Sequence, residues 1–146
     1  MICVFLDANV YFGGSVSKKG ASSFILESAQ RKKIELFASK LVLREAERNL
    51  RKKATETALK DFHRFLQGTK LCVVPVPNEK ISEPYEASLH PKDLPVLAAA
   101  ISCGAEFLIT LDRRHFMNPP LLAKLKKPKI LTPGDFFRDI FLKGKS

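Results

Sequence analysis

The sequence predicts an α/β fold, a three-layer α/β/α sandwich around a parallel, roughly five-stranded sheet. Three observations predict it. Five short apolar runs alternate with segments of helical periodicity, which calls for parallel strands joined by right-handed crossovers, with helices on both faces. The first run, residues 2–6, is continuously apolar, as a strand buried on both faces has to be. A chain of 146 residues with 45% hydrophobic content can build one core, so residues 1–146 read as a single domain without linker, internal repeat or low-complexity segment.

After the first strand come Asp7, Ala8 and Asn9, and then Gly13, Gly14, Ser15, Ser17 and Gly20, which mark a loop. Ser22 or Ser23 is placed to cap a helix reaching about Arg31, with Phe24, Ile25 and Leu26 packed on the sheet. Residues 34–38 give the second strand. Ser39 can cap a helix over 41–53 whose buried stripe is Leu41, Val42, Ala46 and Leu50, with Glu45 near its amino end. A further helix over roughly 55–67 ends at Gly68, and residues 71–76 form the third strand. Between Pro75 and Pro91 a short helix carries Glu79, Glu83 and Glu86, to which the sequence assigns no chemical role.

The stretch 92–116 is the most informative. Asp93 opens an amphipathic helix that stops at Gly104, and residues 106–110 make a strand that delivers Asp112 at its carboxyl end. Arg113 and Arg114 follow at once and are the basic side chains best placed to meet a phosphate there. The chain then crosses Pro119-Pro120 and a basic turn, forms a last strand at 129–131 and ends in a helix begun by Thr132-Pro133. The apolar face of that helix, Phe136, Phe137, Ile140 and Phe141, packs on the core or on a second subunit.

Composition narrows the function. No window approaches the ~20 apolar residues of a membrane span and the amino terminus lacks a signal-peptide pattern, so a cytoplasmic protein is expected. Cys3, Cys72 and Cys103 lack the paired spacing of a zinc or redox site and read as reduced core residues. The net charge of +10, concentrated around 31–33, 44–53 and 124–129, favours a polyanion, most simply RNA or DNA.

Singly, Asp7, Glu45, Asp93 and Asp112 each have an ordinary reading as a cap, a helix-dipole partner or a loop residue. Together they fall at strand exits and helix starts, which a parallel sheet brings to one edge, where α/β folds bind their ligands. Clustered carboxylates repel unless cations lie between them, and hard oxygen donors suit Mg²⁺ or Mn²⁺. Such ions activate water and neutralise phosphodiester oxygens. His63, His90 and His115 have no recognisable partner in sequence and are left out of the chemistry.

Four segments in this order, FLDANVYF, LVLREAERNL, KDLPVLAAAISCGAEFLITLDRRHF and KILTPGDFF, resemble the PIN domain, in particular the PIN-type toxins of toxin-antitoxin pairs. The resemblance spans nearly the whole chain. It implies Asp7, Glu45, Asp93 and Asp112 as the metal-binding set, with Asn9 and Thr110 as polar neighbours and Glu47 as a competitor to Glu45. It further implies a Mg²⁺- or Mn²⁺-dependent ribonuclease acting on single-stranded RNA, a homodimer, and a small antitoxin that covers the site. Leu111 departs from the small or polar residue common at its position. Two other readings compete: a non-catalytic basic RNA-binding module with a degenerate site, and a phosphatase of the haloacid dehalogenase type. The latter's Asp-x-Asp is missed at Asn9, which cannot protonate a leaving group.

Overall fold

Strand β1 (Cys3–Leu6) occupies the middle of the sheet in the computed structural model, which describes residues 1–143. The chain continues through helices α1 (Ala8–Val16) and α2 (Ala21–Gln30), strand β2 (Glu35–Ala38), helices α3 (Lys40–Lys53) and α4 (Glu56–Gly68), and strand β3 (Leu71–Val73). Two 3-10 turns, Glu79–Ile81 and Glu83–Tyr85, lead to α5 (Leu94–Ser102) and β4 (Phe107–Ile109). Helices α6 (Arg113–Phe116) and α7 (Pro119–Lys124), strand β5 (Lys129–Leu131) and helix α8 (Pro133–Phe136) follow, with a π-helical turn, Phe137–Phe141, extending α8.

The five strands run in the order β3-β2-β1-β4-β5, and every pairing is parallel. This is the expected helix-flanked α/β/α architecture. The order reverses at β1, since β2 and β3 build outward on one side and β4 and β5 on the other. A crevice opens beyond the carboxyl ends of the strands at such a reversal. Register fixes its two walls: Leu6 pairs with Ile109, so Asp7 and Thr110 leave the sheet side by side.

Several local expectations fail for physical reasons. The glycines at 13 and 14 do not form a loop but lie inside α1, so two helices, not one, connect β1 to β2. A Cβ on Gly14 would stand 2.5 Å from Leu26 Cδ1 and 2.9 Å from its Cγ, so the missing side chain lets α1 and α2 approach closely. Helix α2 starts at Ala21 behind Gly20, whose φ of +106° suits glycine, rather than at a capping Ser22 or Ser23. The third strand stops at Val73, short of 76; β3 is an edge strand and Pro75 has no N–H to extend the ladder. The edge position also explains why Cys72 is exposed, while Cys3 and Cys103 are only half-buried, so none of the three is a fully buried core residue.

Beyond Asp112, the expected loop contains two short helices. Asp112 caps α6 by accepting from His115 N, and Asn118 caps α7 by accepting from Leu121 N, with the proline pair in the first turn, where no N–H is needed. The carboxyl-terminal apolar face packs within the chain: Phe24 meets Phe137 and Phe141 edge-on, with ring centroids 4.6 and 4.9 Å apart, and Phe136 is fully buried. Among the described residues, no helix is long and apolar enough to cross a membrane.

Candidate metal centre

Asp7 is the most constrained of the four acids. Its backbone N–H donates to Ile109 O at 3.0 Å, which ties the exit of β1 to β4. Its Oδ1 accepts from Ala8 N at 2.8 Å and starts α1, while Oδ2 accepts from Thr110 Oγ1 at 2.9 Å and from Asn9 Nδ2 at 3.3 Å. Asn9 spans the gap: its amide also donates to Thr110 Oγ1, and its Oδ1 accepts from Leu111 N at 3.0 Å. Thr110 Oγ1 in turn accepts from Asp112 N. Asn9 and Thr110 thus bind the two strand exits into one unit and fix the Asp7 carboxylate. With its side-chain oxygen and nitrogen both engaged in this brace, Asn9 has no acid role.

Helix α3 carries Glu45 toward the same cleft, where Lys92 Nζ lies 3.7 Å from its Oε1. Glu47, two residues on, turns to α4 and pairs with His63 at 2.5 Å and Arg51 at 3.6 Å, so of the two glutamates it is Glu45 that faces Asp7. Asp93 stands at the start of α5 in helical backbone conformation, and its carboxylate caps nothing. It is an acid at a helix start whose oxygens are left for another partner. Asp112 holds His115 twice, through Oδ1 to the backbone N at 3.1 Å and through Oδ2 to the imidazole Nδ1 at 2.7 Å.

The electrostatics follow from this crowding. Burial, together with Glu45 and Asp93, pushes the Asp7 carboxyl up to about 6 against the hydrogen bonds from Thr110 and Ala8. Asp93 is raised as well, by burial first and then by Asp112. Burial also acts on Asp112, but the hydrogen bonds and charge of His115 outweigh it and hold this carboxyl below its ordinary value.

All four acids line one cleft of about 310 Å³. Four carboxylates drawn from four separate elements, with Lys92 paired to Glu45 and His115 to Asp112, fit a divalent ion with oxygen ligands. Asn49, His90 and His115 complete the wall. Two of the three histidines have carboxylate partners that the sequence did not reveal: His115 pairs with Asp112 and His63 with Glu47, while His90 accepts from the backbone Lys92 N at 3.0 Å through Nδ1. The i,i+3 spacing of Asp112 and His115 just after a strand was a legible signal; the Glu47–His63 pair, reaching across two helices, left none. Arg113 and Arg114 are exposed on α6 and do not line the cleft; Arg113 lies in the field of Asp135 instead.

The chain matches the family model for the PIN domain over residues 3–114. Among solved structures, it is similar to VapBC2 from Rickettsia felis bound to a DNA fragment from their promoter, with a TM-score of 0.63 and 18% identity over 90% of this chain and 98% of that one. It is also similar to Mycobacterium tuberculosis VapC20, described as a Sarcin-Ricin loop cleaving toxin, with a TM-score of 0.56 and 14% identity over 76% of this chain and 91% of that one. At these identities the likeness is one of fold. No curated protein matches the chain in sequence.

Proposed function

The chain belongs to the PIN domain family, and from that premise we propose that it is a divalent-metal-dependent endoribonuclease that cleaves single-stranded RNA as the toxin of a toxin-antitoxin pair. The observation that carries the reading is the convergence of Asp7, Glu45, Asp93 and Asp112 on one cleft, where Asp93 has no capping partner to account for it. A bound Mg²⁺ or Mn²⁺ would supply activated water and neutralise the leaving oxygen. Asp7, Glu45, Asp93 and Asp112 present the carboxylates that would hold it, with Asp7 fixed on the β1 side of the cleft by Asn9 and Thr110. Lys92, paired with Glu45, offsets part of the negative charge there and is exposed enough to swing to a phosphate.

RNA as substrate is supported by the net charge of +10, since phosphate contacts by Lys and Arg dominate nucleic-acid affinity. The reading includes a small antitoxin and a homodimer. Leu41, Val73 and Val76 are large apolar side chains left exposed, and they offer surface to either.

The assay is cleavage of labelled RNA in Mg²⁺, in Mn²⁺ and in EDTA, by wild type and Asp93→Asn. Cleavage by wild type in metal alone, lost by at least a hundredfold in Asp93→Asn, is the expected result. Equal cleavage in EDTA would sink the metal mechanism. Tight RNA binding without cleavage in either metal would leave a non-catalytic binding module, and phosphomonoester hydrolysis with RNA intact would point to a phosphatase.

A further inference from the structure

We propose that His115 is a direct ligand of the ion in this cleft, which makes the site a mixed nitrogen–oxygen centre selective for a first-row transition dication such as Mn²⁺ over Mg²⁺. The inference rests on the reading that the cleft holds a divalent ion and adds to the four carboxylates a donor of different chemistry. One donor atom from each of Asp93, Asp112 and His115 lies within 4.8 Å of the other two. The imidazole Nδ1 and Asp112 Oδ2 are only 2.7 Å apart. Two adjacent donors around a small octahedral ion stand roughly 3 Å apart, so an opening of a few tenths of an ångström lets an ion take the place of the shared proton.

The ring is held for this purpose by its own helix. Asp112 Oδ1 accepts from His115 N and caps α6, which sets the imidazole beside Oδ2. His90 is a weaker candidate although its ring centroid is 6.4 Å from that of His115, because its Nδ1 already accepts from Lys92 N. Imidazole is a borderline donor that suits first-row transition ions, whereas Mg²⁺ takes oxygen ligands and gives up its waters reluctantly. Replacing one oxygen by an imidazole nitrogen therefore biases the site toward Mn²⁺ and its heavier neighbours.

The test needs no RNA. Metal-stripped wild type, His115→Ala, His115→Gln and Asp93→Asn are titrated with Mn²⁺ and with Mg²⁺ by calorimetry, after circular dichroism has established that each variant is folded. The Mn²⁺ complexes are then examined by pulsed electron paramagnetic resonance for coupling to ¹⁴N. The expected result is a Mn²⁺ affinity at least tenfold above that for Mg²⁺ in wild type, with ¹⁴N coupling present. In both His115 variants the coupling should vanish and the preference collapse, Mn²⁺ weakening at least tenfold while Mg²⁺ changes less than threefold. A residue that merely positions Asp112 would weaken both ions alike. That outcome, or wild-type Mn²⁺ bound at an Asp93-dependent site without ¹⁴N coupling, overturns the proposal and leaves the nuclease reading intact. Nitrogen coupling in a protein that cleaves no RNA would do the reverse.

Discussion

Burial makes ionised Asp7 unfavourable in the folded protein, and the direction of its effect on stability can be worked out. Its carboxyl titrates at about 6 when folded and at 3.8 by ordinary value, so between those limits the folded state binds the extra proton and stability falls as pH rises. The shift corresponds to about 3 kcal/mol at neutral pH. Asp93 acts in the same sense, and Asp112, held low by His115, in the opposite one. In EDTA at pH 7, Asp7→Asn should therefore be more stable than wild type by up to ~3 kcal/mol, with the gap closing by pH 4, as read from urea midpoints. If the gap does not change with pH, the Asp7 carboxyl titrates alike in the folded and unfolded chains and burial does not raise it. Excess Mn²⁺ should stabilise wild type by about 2.7 kcal/mol at a hundred times Kd if only the folded form binds, and the variant by less. The positions of the acids were legible because an acid directly after a strand, or at a helix start, has one place to go in a parallel sheet. The partners of the acids were not: the brace of Asn9 to Leu111 joins residues 102 apart, and no periodicity encodes it.

Among the elements, α1 shows most clearly how tertiary packing overrides a local signal. Its adjacent glycines read as a loop, yet their use is to let two helices touch, a property of α2 as much as of α1. The two positions should respond with opposite signs to alanine. At Gly13 the nearest atoms to a new Cβ, on Ser22 and Leu111, are 3.5 to 3.7 Å away, an ordinary contact, so alanine should gain helix propensity, up to ~1 kcal/mol. At Gly14 the 2.5 Å approach to a buried Leu26 forces α1 and α2 apart, and overpacking of about 1–3 kcal/mol should outweigh the same gain. Thermal melting of both variants checks this, and equal melting temperatures would mean that the α1–α2 contact yields freely. Helices α3 and α4 were legible by contrast because Ser39 and Thr55 cap them locally, through Val42 N and Ala58 N. The cap of α6 by Asp112 was not legible because a helix of four residues, Arg113–Phe116, is too short to show a periodicity where a loop was expected.

At the scale of the whole molecule, binding and chemistry should separate, since the basic side chains behind the net charge of +10 are distinct from the four acids that share one cleft. RNA affinity should fall steeply with salt, each phosphate contact contributing roughly 0.7 to the log–log slope for a single strand. Asp93→Asn should keep that slope while losing cleavage; a slope that changes with the acid would mean that the metal, not the basic surface, carries the affinity. The overall fold was legible because strand and helix order alone dictates a parallel sheet. The strand order has a further consequence, for timing. β1 pairs with β4, and the hydrogen bond between Asp7 and Thr110 closes a separation of 103 residues. Contacts this distant form late, after the loop-closure entropy has been overcome. A chain emerging from the ribosome thus carries Asp7 and Glu45 long before Asp112 exists to join them. Truncated or stalled chains ending before β4 carry Asp7, Glu45 and Asp93 but lack Asp112 and the wall of the cleft that it forms.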